Sequence, residues 1–182
     1  MAFVPRLSTT SPTQMYNNPW WYSSGNIYYN TPNHQYGMPN CTCYTYGRVG
    51  EENGHFRTDL PSGNGGDWWA NALAAGNIPM GYYPQVGGIM CYYDPNGVHD
   101  GHVCVCEVID PNTGACTTSN SGYQSTYFWT DTVTPSGGYA DVAWIQNRGY
   151  VYQGCLYVLE SSPPTPVWHP HKMPIWMMLR YF

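Results

Sequence analysis

Patterns typical of helices occupy one part of this chain, and patterns typical of strands occupy another. Asn40 is a suitable N-cap for a helix that begins at Cys41 and runs to residue 47 or 51. Residues 68–75 predict a second helix with Asp67 as its N-cap. In that helix one apolar stripe is expected, formed by Trp69, Ala72 and Leu73.

Strand patterns begin only after these helices. They predict strands over residues 86–93, 102–109, 115–120, a stretch around Tyr127, and residues 151–159. Turn sequences such as Asp94-Pro95-Asn96-Gly97 separate them. Short turns join antiparallel neighbours, so we expect an antiparallel sheet of about five strands. Helices first and strands later indicate an α+β fold in which N-terminal helices pack on this sheet.

The chain has 182 residues, a length typical of one domain. We divide it into an aromatic, polar N-terminal arm (1–36), a domain (37–160) and a Pro-rich linker with an aromatic C-terminal tail (161–182). The linker contains Ser161-Ser162-Pro163-Pro164-Thr165-Pro166, which favours a stiff, extended backbone.

Charge and hydropathy argue against two classes of protein. Lys and Arg number only six and the formal net charge is −5, so there is no basic face for a nucleic acid. No apolar run approaches the roughly 18 residues of a membrane span. The first residues contain no apolar segment of the kind found in a signal peptide, so we expect none.

Cys41 is the strongest candidate for a nucleophile among the seven cysteines. A thiol in the first turn of a helix lies near unpaired N–H groups, which favour the thiolate. Cys43 is the alternative, but two residues along a helix turn a side chain by about 200°, so both cannot face one cleft. A nucleophilic thiol needs a base, and His102 follows Gly101 at the start of a predicted strand.

Three segments, taken in order, resemble the CHAP family of amidases and peptidases, a papain-like (NlpC/P60-like) group frequent in phage lysins. They are Gly37-Met38-Pro39-Asn40-Cys41-Thr42-Cys43-Tyr44, Gly101-His102-Val103-Cys104-Val105-Cys106-Glu107 and Thr118-Ser119-Asn120-Ser121-Gly122-Tyr123. The resemblance spans roughly residues 37–158.

The resemblance implies a role for several residues. Cys41 matches the nucleophile and His102 the general base, while Asn120 occupies the position of the group that orients the imidazole. The Cys41 backbone N–H and the Asn40 side chain are the expected oxyanion donors. Glu107 is the alternative orienting residue, although an ideal strand places it on the face opposite His102.

Two aromatic residues, Trp68 and Tyr123, are candidates for binding substrate in a groove. A metal site is an alternative interpretation, since His102, Cys104 and Cys106 alternate along one strand face and Cys41 and Cys43 could join them. Zinc ligands more often come from turns that curve around the ion. Some relatives bind calcium through an acidic loop before the nucleophile, but residues 30–40 contain no Asp or Glu. We therefore expect neither metal nor cofactor.

The resemblance implies a peptidoglycan hydrolase, either an N-acetylmuramoyl-L-alanine amidase or an endopeptidase. Its expected setting is a phage endolysin released from the host cytoplasm through a holin, or a virion tail-associated lysin whose residues 161–182 contact other virion proteins. Two alternatives remain open: a non-catalytic wall-binding or structural virion module on the same fold, and a thiol protease or amidase that acts on another substrate.

Overall fold

Two α-helices precede the strands of the main sheet, as the sequence predicts. In a computed structural model that describes residues 3–8, 18–122, 125–133, 135–136, 139–140 and 149–160, helix α1 spans Cys41–Asn53 and helix α2 spans Trp68–Ala75. The bounds predicted for α2 are confirmed. Helix α1 extends further than expected and is followed by its C-cap Gly54, whose φ of +75° is a left-handed conformation that glycine adopts readily.

The predicted apolar stripe of α2 is wrong in part. Trp68 and Ala72 are the buried residues of this helix, whereas Leu73 is 64% exposed. A short 3-10 turn, Gly65–Asp67, leads directly into α2. Asp67 caps this turn together with Asn64 and makes no side-chain cap bond to α2.

Eight strands lie among the described residues. They are β1 (Met80–Gly81), β2 (Ile89–Tyr93), β3 (His102–Ile109), β4 (Cys116–Asn120), β5 (Trp129–Val133), β6 (Pro135–Ser136), β7 (Tyr139–Ala140) and β8 (Val151–Leu156). Six form one sheet in the order β1-β8-β2-β3-β4-β5, and β6 pairs with β7 separately.

Every pairing of the six-stranded sheet is antiparallel, which confirms the predicted α+β class. The bounds of β3 agree with the prediction. The sixth strand is β1, a two-residue strand at the sheet edge that is too short to produce an alternating pattern in the sequence.

The sheet is covered on both faces in its centre. On one face, Ile89, Cys91 and Val103 pack in a core with Tyr46 of α1 and Trp68 of α2. The opposite face carries a second cluster, formed by Met90, Tyr92, Cys104, Cys106, Cys116, Val133, Tyr150, Tyr152 and Cys155. Burial on both faces explains why residues 102–106 of β3 are buried without a break.

Residues 18–36 belong to the folded domain and do not form a separate arm as expected. Trp21 is fully buried, stacks on Tyr44 with ring centroids 5.6 Å apart, and donates from Nε1 to the Tyr44 carbonyl at 2.9 Å. Asn26 is also fully buried and donates to the Cys43 carbonyl at 3.0 Å. These contacts attach the segment to α1. The predicted linker and tail, 161–182, lie outside the described residues.

None of the helices in the described ranges combines the length and the apolar character that crossing a bilayer requires.

Candidate active site

Cys41 is the first residue of α1, and its position is fixed by the residue before it. The Asn40 side-chain oxygen accepts hydrogen bonds from the backbone N–H of Thr42 at 2.9 Å and of Cys43 at 3.0 Å. These bonds satisfy donors that a helix start otherwise leaves unpaired. Cys41 therefore lies at the N-terminus of a well-capped helix, half-buried at the edge of a cleft.

Cys43 points away from that cleft. It is fully buried in the core, and its thiol lies 3.9 Å from the Trp21 carbonyl oxygen. The structure thus separates the two cysteines as the helical rotation requires, with only Cys41 facing the cleft.

His102 and Asn120 lie side by side at the ends of adjacent strands. The imidazole Nε2 is 3.1 Å from the Asn120 side-chain oxygen, and both residues are buried. Asn120 donates from its nitrogen to the Thr118 hydroxyl at 3.0 Å, which fixes the orientation of its amide. Because the amide oxygen faces the ring, Nε2 carries the proton and Nδ1 is the basic nitrogen.

Trp129 was not identified from the sequence as part of this site. It lies on β5 directly opposite Asn120 of β4, and its ring stacks on the His102 ring with centroids 6.0 Å apart. The indole thus contacts the imidazole from the neighbouring strand. Only the register between β4 and β5 reveals this contact, so no local sequence signal could have indicated it.

The cleft containing Cys41 and His102 has a volume of about 600 Å³. Its lining includes residues that precede α1, among them Tyr28, Tyr36 and Asn40, and residues 98–101 before β3. Tyr36 is about half exposed and available to a ligand. The N-terminal segment thus supplies one wall of the cleft, which the predicted domain boundary did not anticipate.

Burial favours the neutral forms of the Cys41 thiol and the His102 imidazole near pH 7. It raises the pKa of the Cys41 thiol to about 11, although hydrogen bonds from the Val103 and Thr42 backbone N–H groups lower it. Burial also lowers the pKa of His102 to about 4, against the hydrogen bond from Asn120, which raises it. At Cys41 the effect of burial is thus larger than that of the backbone N–H groups at the helix terminus.

The Val103 backbone N–H lowers the pKa of the Cys41 thiol, so the start of α1 lies close to the beginning of β3, where Val103 follows His102. The candidate nucleophile Cys41, the candidate base His102 and the Asn120 amide therefore lie where α1, β3 and β4 come together.

Asn40 retains a free donor after capping the helix. Its oxygen accepts from Thr42 and Cys43, so its amide nitrogen points elsewhere and donates to none of the described residues. Since Asn40 also lines the cleft, this nitrogen can act beside the Cys41 N–H as an oxyanion donor.

Gly122 keeps the Cys41 N–H accessible. An added Cβ at Gly122 would lie 2.9 Å from the Cys41 backbone nitrogen, and the φ of +100° also disfavours other residues. Any side chain at this position would cover the expected oxyanion site. The sequence showed this glycine within a motif without indicating its purpose.

Glu107 does not reach the imidazole, so the alternative orienting role is not supported. Its fully buried carboxylate accepts from Arg48 Nε at 2.9 Å and Nη2 at 2.8 Å, from the Ser119 hydroxyl at 2.6 Å and from the Arg6 backbone N–H at 2.8 Å. Strand alternation puts Glu107 on the same face of β3 as Val103, which packs toward α1, as an ideal strand predicts.

Trp68 is a correction to the expected substrate groove. It is fully buried in the core and donates from Nε1 to the Tyr28 hydroxyl at 3.0 Å. Its role is thus to hold Tyr28, which lines the cleft, and not to contact substrate. Tyr123, the second predicted binding residue, lies outside the described residues.

All seven cysteines are free thiols. Across the described ranges, no three His, Cys, Asp or Glu side chains come together in a way that could hold a metal ion.

Comparison with known proteins gives one family. The CHAP domain profile matches residues 29–122, a range that contains Cys41, His102 and Asn120. A search of curated proteins gave no match. Among solved structures, the 2.15 Å crystal structure of an N-acetylmuramoyl-L-alanine amidase from Staphylococcus aureus is similar, with a TM-score of 0.47 and 18% identity over 66% of this chain. The similarity covers 31% of that amidase chain, about a third of its length.

Proposed function

The chain belongs to the CHAP domain family, and on this premise we propose that it is a cysteine hydrolase that cleaves an amide bond in bacterial peptidoglycan. The observation that carries the proposal is the bond between His102 Nε2 and the Asn120 oxygen in the cleft that Cys41 lines. A thiol, a base and an orienting group form the minimal apparatus for nucleophilic attack on an amide.

The first half of the reaction forms a thioester. His102 Nδ1 accepts the thiol proton as the Cys41 sulfur attacks the amide carbon. The carbonyl oxygen becomes an oxyanion that accepts from the Cys41 N–H and the Asn40 amide nitrogen. The imidazolium then donates its proton to the leaving nitrogen, and the carbon–nitrogen bond breaks.

The second half restores the enzyme. His102 accepts a proton from water, and the resulting hydroxide attacks the thioester carbon. Collapse of this intermediate expels the Cys41 sulfur, which regains its proton from the imidazolium, and releases a carboxylic acid. Throughout, Asn120 holds the proton on Nε2, so that Nδ1 remains the nitrogen that accepts and donates.

Neutral resting groups require proton transfer to accompany attack. Because the thiol pKa is about 11 and the imidazole pKa about 4, a preformed thiolate–imidazolium pair is unfavourable in the empty cleft. Asn120 is itself neutral and cannot compensate the imidazolium charge as a carboxylate would. The oxyanion donors therefore contribute a large share of transition-state stabilisation.

Purified cell walls provide the direct test. Wild-type protein and Cys43→Ser should clear a wall-containing gel, whereas Cys41→Ser should bind without clearing, because a serine hydroxyl is not ionised by this base. Clearing by Cys41→Ser together with loss of clearing in folded Cys43→Ser would contradict the assignment of the nucleophile.

The released fragments identify the bond. New amino-terminal alanine with free lactyl groups indicates the N-acetylmuramoyl-L-alanine amidase reaction, while any other new amino terminus indicates an endopeptidase. New reducing sugar ends would exclude amide hydrolysis. For the biological setting we propose a phage lysin, on the strength of the sequence resemblance alone, and lysis of intact cells from outside would support a virion-associated type.

A further inference from the structure

The cleft has an uneven charge. Among the described residues that line it, Asp100 is the only carboxylate, and no lysine or arginine is present. Asp100 lies two residues before His102 and lines the cleft together with Cys41. A substrate that reaches Cys41 therefore encounters a negative charge without a fixed positive partner.

Asp100 is held in place by two contacts from the turn before α2. Its backbone carbonyl accepts from the Gly66 N–H at 2.8 Å, and its Oδ1 accepts from the Asn64 side-chain nitrogen at 2.9 Å. The second carboxylate oxygen, Oδ2, accepts no hydrogen bond from the described residues, and the residue is exposed. The carboxylate is thus oriented before any ligand arrives, with one oxygen still available.

We propose that Asp100 binds a free ammonium group of the substrate close to the scissile amide, and that the enzyme thereby selects peptides with an uncapped amine. The inference rests on the proposed function, since it names the substrate class of the same site. Primary amines donate to carboxylates through short, charge-assisted bonds. Asn64 acts as a positioning residue that fixes Oδ1 and leaves Oδ2 for this contact.

The nearby thiol gives this contact a second effect. The negative charge of Asp100 contributes to the raised pKa of Cys41, after the larger effect of burial. A bound ammonium opposes that charge and so favours removal of the thiol proton. An amine-bearing substrate is therefore both held and better activated than the same peptide with its amine acylated.

In peptidoglycan, two sources supply such an amine. One is the side chain of a diamino acid in a stem peptide that is not cross-linked, and the other is the amino terminus of a peptide bridge. Both present the same chemistry to Asp100. Acetylation removes the charge from either, so walls treated with acetic anhydride are the appropriate probe.

The experiment compares untreated and N-acetylated walls with three proteins: wild type, Asp100→Asn and, as a matched control, Asp110→Asn. Asp110 lies in the turn after β3, outside the cleft, and its replacement removes the same charge. Hydrolysis is followed by release of new termini. Binding is measured separately, with Cys41→Ala added to each of the three proteins so that none can hydrolyse the walls. The walls are pelleted, and the amount of bound protein gives the preference for a free amine.

We expect acetylation to reduce binding and hydrolysis by wild type and by Asp110→Asn about five- to tenfold, the worth of one charge-assisted bond partly open to water. Asp100→Asn should treat both walls alike. Synthetic stem peptides with the amine only on the side chain, or only at the terminus, then identify the source. Equal use of both walls by wild type, or a preference retained by Asp100→Asn, would overturn the proposal. If no protein hydrolyses either wall, the proposed function fails, whereas the pelleting result still decides the role of Asp100.

Discussion

Arg48 and Glu107 form a buried ion pair that joins the helix carrying Cys41 to the strand carrying His102. Two hydrogen bonds of 2.9 and 2.8 Å connect them, and neither side chain is more than 2% exposed. Ser119, next to Asn120 on β4, donates to the same carboxylate at 2.6 Å. Each element that supplies a residue of the proposed triad thus also supplies one member of this network.

Residues 3–8 complete the network. The Arg48 guanidinium donates to the Val4 carbonyl at 2.6 Å, and the Arg6 backbone N–H donates to Glu107 at 2.8 Å. Arg48 also contacts Glu51 and Glu52, so carboxylates outnumber it, and the Arg6 side chain adds a second positive charge at Glu51. The start of the described chain therefore helps to neutralise a group of charges buried beneath the site.

Glu107→Ala should destabilise the protein without disabling the chemistry. Removing one partner leaves the Arg48 charge buried and unpaired, which typically costs about 3–5 kcal/mol. We expect a large decrease in thermal midpoint, while wall hydrolysis per folded molecule at low temperature stays within about threefold of wild type, since Glu107 does not touch the reacting atoms. Glu51→Gln, a change at a partly exposed member of the same network, is the control and should cost less than about 1 kcal/mol. An inactive but stably folded Glu107→Ala would instead place Glu107 in the reaction.

Asn120→Ala should lower turnover by roughly one to three orders of magnitude, because a base without its orienting partner loses part of the roughly 10²–10⁴ that general base catalysis contributes. Asn120→Asp should retain much of the activity, since a carboxylate also accepts from Nε2. The readout is kcat for wall or peptide hydrolysis, with circular dichroism to confirm folding. Full activity in a folded Asn120→Ala would show that the residue only closes the turn after β4.

Asn40 can be tested for two separable roles. Asn40→Ser should keep the helix cap and lose the amide donor, so the thermal midpoint stays nearly unchanged while kcat decreases about 10²-fold. Asn40→Ala should show the same loss of rate together with a stability cost of about 1 kcal/mol. If Asn40→Ser remains fully active, the side chain is only a cap, and the Cys41 N–H acts with a different donor.

The pH dependence follows from the buried imidazole. As the proposed general base, His102 must be neutral to act, and its pKa of about 4 puts the expected acid limb of kcat/KM well below the ordinary value for histidine, so hydrolysis should persist at pH 5. The stability of the fold should also decrease at low pH. Between pH 6.5 and 4 the unfolded chain binds a proton at this histidine that the folded chain does not, so the free energy of unfolding decreases by about 3 kcal/mol as pH falls. His102→Asn should lose this component of the pH dependence. An acid limb near pH 6.5 in the wild type would contradict the burial argument.

How far the sequence could predict the structure depended on the sequence separation of the contacts. Helix α2 and strand β3 were predicted with their observed bounds, since local period, turns and caps determine them. The partner of Glu107 could not be predicted, because Arg48 lies 59 residues away along the chain. Trp129 was missed for a related reason, as its contact with His102 depends on strand register.

The N-terminal segment shows a different limit. Residues 18–36 lack helical or strand periodicity, so they were expected to form an arm. Their irregular backbone is nevertheless fixed by single polar and aromatic contacts, such as Asn26 with the Cys43 carbonyl and Trp21 with Tyr44. Hydrophobic periodicity contains no information on contacts of this kind.

The distribution of thiols gives the protein a built-in attachment point for a reporter. Six cysteines are at most 1% exposed, and Cys41 alone lines the cleft. A maleimide fluorophore should therefore attach at one equivalent in the native protein and at seven after denaturation. Because the Cys41 pKa is about 11, the labelling rate of the native protein should rise steeply with pH. The number of labels per molecule, measured by mass spectrometry, would report the fraction of molecules whose cleft is intact.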